Sequence, residues 1–171
     1  MNTTAAEALG EVRVYGLQVR AIHAVVKRNV DELTEEESLI QPQPGGNCLN
    51  WVVGHLLYVY DQTLPMLGQT PVLGVDTLKR YGRGTAQIEN AAEALNFALL
   101  MAAWDEATQR MEAGVESLSP EVLDQPAPWS PTNNSEETVR SLLSTILFHQ
   151  AYHVGQTGLL RRIAGKEGAI R

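Results

Sequence analysis

Three of the four histidines in this 171-residue chain stand where apolar side chains are due. Late in the chain, Val139, Leu142 or Leu143, Ile146 and Leu160 form a helical stripe, and His149 and His153 fall on it. Four residues apart, they project from one face about a turn from each other. Earlier, His55 falls between Val52 and Val59, again on an inward face. An imidazole in a core needs a partner for each ring nitrogen, and a charged one is costlier still. A divalent cation meets that need by taking one lone pair from each neutral ring. Ordinary hydrogen bonds within a core meet it too, and the spacing alone leaves both readings open. Two histidines on one helix and a third on a facing helix would form a tripod. Three protein ligands with coordination positions to spare describe a catalytic rather than a closed structural site. The pair is not the zincin motif, because Gln150 stands where that motif has its general base. Nor are there the Glu-x-x-His pairs of a di-iron bundle. Imidazole suits zinc, nickel, iron and copper alike.

Further residues are candidates for the substrate pocket. Gln156 lies three after His153 and seven after His149, so it shares their face and can meet substrate, or serve as a helix-interface amide. Cys48 lies seven before His55, in the first turn of its helix, where a thiol pKa can fall; its plainer reading is a small buried residue. His23 edges the apolar face of the first helix, as a pocket residue or a boundary histidine. Tyr81 and Arg83 sit in a long loop that can close over substrate, or simply be solvated. Tyr152 is one residue off the histidine face and reads as packing. Glu35-Glu36-Glu37 reads as a solvated turn.

Four long helices must position these groups. The first is expected from about Thr4 to Val30, with Leu9, Val12, Val19, Ile22 and Val26 three or four apart. Thr34 and Glu37 have capping-box spacing for a short extra turn. Pro42, Pro44, Gly45 and Gly46 then break the chain. The second helix is expected after Asn47 as N-cap, through Leu49, Val52, Leu56 and Val59 to about Leu64. A Pro- and Gly-punctuated connection runs from Pro65 to Gly84, a length typical of lids and pocket walls. Thr85 is expected to cap the third helix, through Ala91, Leu95, Ala98 and Ala102 with a neighbouring stripe of Phe97, Met101, Trp104 and Met111, to about Val115. Ser119-Pro120-Glu121 starts another short turn. Asn134 with Glu137 marks the expected start of the fourth helix, which runs to about Ala164 before Gly165. No useful strand alternation, repeat or linker is seen. The expectation is an all-α, up-down four-helix bundle with short extra helical turns in its loops, forming a single domain over residues 1–171.

Composition narrows the function. The chain is 44% apolar and 19% charged, ordinary for a globular protein. A formal net charge of −7, with no basic stripe, argues against nucleic acid as a partner. One cysteine permits no internal disulfide. The start lacks a secretory pattern, and the most apolar stretch, around Ala94 to Trp104, is far short of the ~20 residues a bilayer span needs. A cytoplasmic protein with no membrane partner is expected.

Several segments together, in order, resemble the DinB/YfiT-like superfamily. They are Trp51-Val52-Val53-Gly54-His55-Leu56, Tyr81-Gly82-Arg83-Gly84, His149-Gln150-Ala151-Tyr152-His153-Val154-Gly155-Gln156, and the tail Leu160-Arg161-Arg162 through Gly165-Lys166-Glu167. The resemblance implies an up-down bundle in which His55, His149 and His153 bind a divalent cation, often zinc or nickel, in an open pocket at one end. It also implies frequent homodimers, and a reaction class that includes S-transferases and isomerases using low-molecular-weight thiols such as mycothiol or bacillithiol. Three neutral histidines leave the cation its full charge. It can then activate water or hold a thiol as thiolate, and with no general base near the histidines in sequence the second is preferred. The expectation is a metal-dependent transferase joining a low-molecular-weight thiol to a small electrophile. The alternatives are a metal-dependent hydrolase and a non-catalytic metal- or ligand-binding bundle serving stability, sensing or stress.

Overall fold

The computed structural model describes residues 5–170, with side chains from residue 10 onward. The expected start at Thr4 and the inward side chain of Leu9 lie outside the described residues. The described helices are α1 (Ala5–Val30), α2 (Glu35–Ser38), α3 (Leu49–Thr63), α4 (Phe97–Glu116), α5 (Pro120–Leu123) and α6 (Val139–Ile163). α1, α3, α4 and α6 are the four long helices of the expected bundle; α2 and α5 are the extra turns.

Each long helix buries the stripe that its spacing dictates. On α1 the buried residues are Val12, Tyr15, Val19, Ile22, Val26 and Val30, a run of three- and four-residue steps. α3 is buried nearly all round, so it is the central element of the bundle. On α4 the inward stripe is Phe97, Leu100, Trp104, Ala107, Met111 and Val115. Ala98 and Ala102, expected to point inward, face solvent. The larger side chains of the neighbouring stripe remove more apolar surface from water, and that difference sets the helix rotation.

In the bundle, α1 packs against α4 and α6, and α3 also packs against α4 and α6. Side-chain pairings give the directions. Glu11 of α1 pairs with Arg140, and Asn29 hydrogen-bonds Thr157 at 2.9 Å, so α1 and α6 run the same way. His23 and Arg20 reach Asp105 and Glu116 respectively, so α4 runs opposite to α1. Asn50 reaches the Leu95 carbonyl at the start of α4, while Leu67 packs beside Gly114 near its end, so α3 and α4 are parallel. The four directions are up, down, down, up. Parallel neighbours need a crossover connection, and the long segment 64–96 provides it by returning the chain to the start of α3 before α4 begins.

That segment is ordered by specific anchors. It opens with a 3-10 turn, Leu64–Leu67, closed by Gly68 at φ 71, a left-handed conformation that glycine adopts without strain. The buried Asp61 carboxylate then accepts hydrogen bonds from the backbone N–H groups of Val72, Leu73 and Gly74, each at 2.8 Å. A second 3-10 turn, Lys79–Tyr81, follows.

Helix starts depart from expectation at three places. α3 is capped by the extended backbone of Cys48, one residue after Asn47. Thr85 does not start α4, because its hydroxyl donates to the Gly82 carbonyl and accepts from Trp51 Nε1. Asn96 is the cap instead, with Glu35 of α2 accepting from Phe97 N at 2.7 Å. Two carboxylates of the Glu35-Glu36-Glu37 run are thus caps, since Glu37 completes the expected box with Thr34. α6 starts after Thr138, boxed with Ser141, rather than at Asn134. Glu137 turns back to accept from Ser130 at 2.8 Å, which fixes the loop ahead of the helix. At its far end α6 closes on Gly165, as expected, with φ 82. No helix among the described residues is long and apolar enough to cross a membrane.

Candidate metal centre

His55, in the first half of α3, and His149 and His153, on either side of the midpoint of α6, meet where those two helices pack. One ring nitrogen from each lies within 4.8 Å of the other two. The ring centroids are 4.5 Å apart for His149 and His153, and 4.8 and 5.1 Å from His55 to His153 and His149. Gln150, one residue along α6, anchors this contact by donating to the Leu56 carbonyl at 2.9 Å.

Each ring has its own support. His55 is buried and stacked on Trp51, one turn earlier, at 4.7 Å between centroids. Its Nδ1 lies 2.7 Å from the Tyr81 carbonyl oxygen. A carbonyl only accepts, so Nδ1 carries the proton and Nε2 is left with a bare lone pair. His153 repeats the arrangement, with Nδ1 donating to Gln156 Oε1 at 2.7 Å. These outward hydrogen bonds fix tautomer and ring orientation as they do around bound metals. His149 differs. Its Nδ1 is buried without a partner among the described residues, and its Nε2 lies 3.2 Å from Nε2 of His55. Without a cation, the His149 proton belongs on Nε2, donated to the His55 lone pair; a cation at the convergence would displace it.

Burial keeps all three rings neutral. It is the main cause lowering the His149 pKa to about 4, helped by the neighbouring His153 and His55 and by the Arg83 charge. His55 is lowered by desolvation, partly offset by its bond to the Tyr81 carbonyl. His153 is lowered by burial against the raising effect of Gln156. Neutral imidazoles that each bring a ring nitrogen to one place are the donor set a divalent cation requires. The residues fit the ion.

Beside the histidines opens a cavity of about 830 Å³. Trp51, Tyr58 and Trp129 are among its aromatic walls, Lys79 and Arg83 are its cations, and among the described residues no Asp or Glu lines it.

The family model of the DinB superfamily matches residues 18–157, which span the three histidines and Gln156. The chain belongs to the DinB superfamily. That superfamily is generally metal-binding, and the three-histidine group here can hold a divalent metal. No curated protein matches the sequence. The DinB fold is shared with a solved structure described as the conserved protein of locus from Enterococcus faecalis. It is 16% identical, with TM-score 0.68 over 90% of this chain and 97% of that one.

In this DinB chain the other expected pocket residues fall elsewhere. Cys48 is fully buried, and burial raises its thiol pKa rather than lowering it, so the small-buried-residue reading holds. His23 binds Asp105 at 2.8 Å across the α1–α4 contact and does not line the cavity. Tyr81 does not line it either. Its ring is buried, its hydroxyl donates to Asn50 Oδ1 at 2.9 Å and accepts from Leu95 N at 2.7 Å, and its carbonyl orients His55. Gln156 meets His153 rather than the cavity. Arg83 is at the cavity, as the loop reading allowed, and so is Tyr152, whose ring is 63% exposed and sits edge-on to His153. Sequence reasoning missed Lys79 and Trp129. Lys79 opens the 3-10 turn that follows the stretch anchored by Asp61, and Trp129 lies in the loop that Glu137 fixes through Ser130.

Proposed function

We propose that this DinB-superfamily chain is a divalent-metal-dependent enzyme that transfers a low-molecular-weight thiol to a small electrophile, with His55, His149 and His153 as the metal ligands. Zinc, nickel and iron all suit the donor set. The observation that carries the reading is the outward anchoring of His55 and His153, which leaves both Nε2 lone pairs facing His149 at the wall of an open cavity. Hydrogen bonding alone pairs His149 Nε2–H with the His55 lone pair but gives the His153 Nε2 no donor among the described residues.

When bound, a divalent cation supplies the positive charge that holds a thiol sulfur deprotonated at neutral pH. The rest falls to the chain. The Tyr81 carbonyl and Gln156 hold the two rings in register. Trp51, Tyr58 and Trp129 give apolar walls that exclude water and seat the electrophile. Among the described residues the cavity has no lining carboxylate to serve as general base. Attack by water needs one more than attack by an already ionised thiol does, and this favours transfer over hydrolysis. The reading includes a homodimer through the α1–α6 face, where Val14, Leu17 and Phe148 are 50%, 59% and 74% exposed; sedimentation of Phe148→Arg as monomer against a wild-type dimer checks it.

The test of the enzyme reading is metal content and turnover measured together. Purified protein is expected to hold about one equivalent of divalent metal per chain, lost in His153→Ala with the helical circular dichroism retained. Metal-loaded protein is expected to accelerate the reaction of a thiol with monobromobimane, and the variant is not. One equivalent of metal without turnover in a screen of thiols and electrophiles would assign the chain to the non-catalytic metal-binding class. No metal at all would return the histidines to the core.

A further inference from the structure

Resting on the thiol-transfer reading, we infer that the small molecule seated beside the three histidines is an anion, a thiol carrying a carboxylate, held by Lys79 and Arg83. Acidic residues outnumber basic ones 20 to 13 in the chain, yet among the described residues the cavity wall carries two cations and no carboxylate. Elsewhere on the surface, Arg20, Lys27, Arg80 and Arg140 are paired with carboxylates, whereas Arg28 and Arg162 are not, among the described residues. The side chains of Lys79 and Arg83 have no ion-pair or hydrogen-bond partner among the described residues.

Lys79 and Arg83 flank Tyr81, whose backbone holds His55 and whose ring is locked by Asn50 and Leu95, so the backbone that carries both exposed cations is anchored beside the histidines. Arg80, between them in sequence, is turned away and bound to the carbonyls of Ala86 and Gln87 and to Glu93. The Arg83 charge reaches His149, one of the three rings. A carboxylate between Lys79 and Arg83 would supply the missing counter-charge, while an ammonium group would face two like charges.

The experiment uses cobalt-substituted full-length protein and three thiols of matched size, 3-mercaptopropionate, 2-mercaptoethanol and cysteamine, with propionate as the thiol-free probe. Binding is read by calorimetry and by the sulfur-to-cobalt absorption band. At low salt the anionic thiol is expected to bind roughly ten-fold tighter than the neutral one, and cysteamine weakest. In Lys79→Gln/Arg83→Gln the anion's advantage is lost while 2-mercaptoethanol binds as before. Equal affinities for the three thiols, or an advantage that survives the double variant, overturn the inference and leave thiol binding standing. If 3-mercaptopropionate and propionate bind alike, with no sulfur band and with the same dependence on Lys79 and Arg83, anion selection stands and the thiol reading falls.

Discussion

Two glycines close in sequence to the proposed ligands are expected to respond to alanine in opposite directions. Gly54 precedes His55 and packs under the Tyr81 ring; a Cβ there would lie 2.2 Å from Cδ1 and 2.5 Å from Cε1 and Cγ. Ordinary carbon contacts are ~3.5–4.0 Å, so the ring must retreat by roughly 1.5 Å. It is fully buried and hydrogen-bonded to Asn50 and Leu95, so it cannot leave without loss. Overpacking costs ~1–3 kcal/mol, and displacement of the Tyr81 carbonyl releases His55 Nδ1. Loss of such a support weakens metal binding by ~10–100-fold. Gly155, two residues after His153, has nothing within 4 Å of its virtual Cβ. In mid-helix, Gly155→Ala is expected to stabilise by ~0.5–1 kcal/mol and to leave metal affinity unchanged. Urea unfolding of the metal-free proteins gives the first quantity, and zinc competition against a chromophoric chelator gives the second. Gly54→Ala with wild-type stability and affinity would refute the role given to Tyr81, as would Gly155→Ala with weakened metal binding.

Two more expectations concern the histidines. Gln156→Leu removes the acceptor for His153 Nδ1–H and is expected to weaken zinc binding about ten-fold or more, while Gln156→Glu retains it; chelator competition decides, and full affinity in the leucine variant would count against Gln156 as the orienting group. For pH, the folded-state values of all three rings lie below the ordinary 6.5. The unfolded chain therefore takes up protons first, and stability is fully present above about 6.5 and lost as pH falls toward the folded values. For His149, whose folded value is about 4, the loss amounts to at most about 3 kcal/mol. Urea midpoints of metal-free protein should fall between pH 7 and 5, and less steeply in His149→Phe. A flat profile over that window would contradict neutral burial of the rings.

The sequence alone determined the four long helices and the three inward histidines, because helical periodicity and the i, i+4 relation are local properties of the chain. His149 and His153 had to share a face once their segment was helical. That His55 would meet them was legible only through the family resemblance, since packing of α3 on α6 is a long-range outcome. The tertiary structure decided the rest. It gave the α4 start to Asn96, where Glu35 from α2 supplies a second acceptor, and took Thr85 for the Gly82 and Trp51 contacts. It set α3 and α4 parallel, and it brought Lys79, Arg83 and Trp129 to the cavity. It also moved Tyr81 from expected pocket residue to support for His55. Loop side chains are placed by anchors such as Asp61 and Glu137, which lie many bonds away or on another element. No local spacing encodes those contacts, because their energy exists only once the helices have packed.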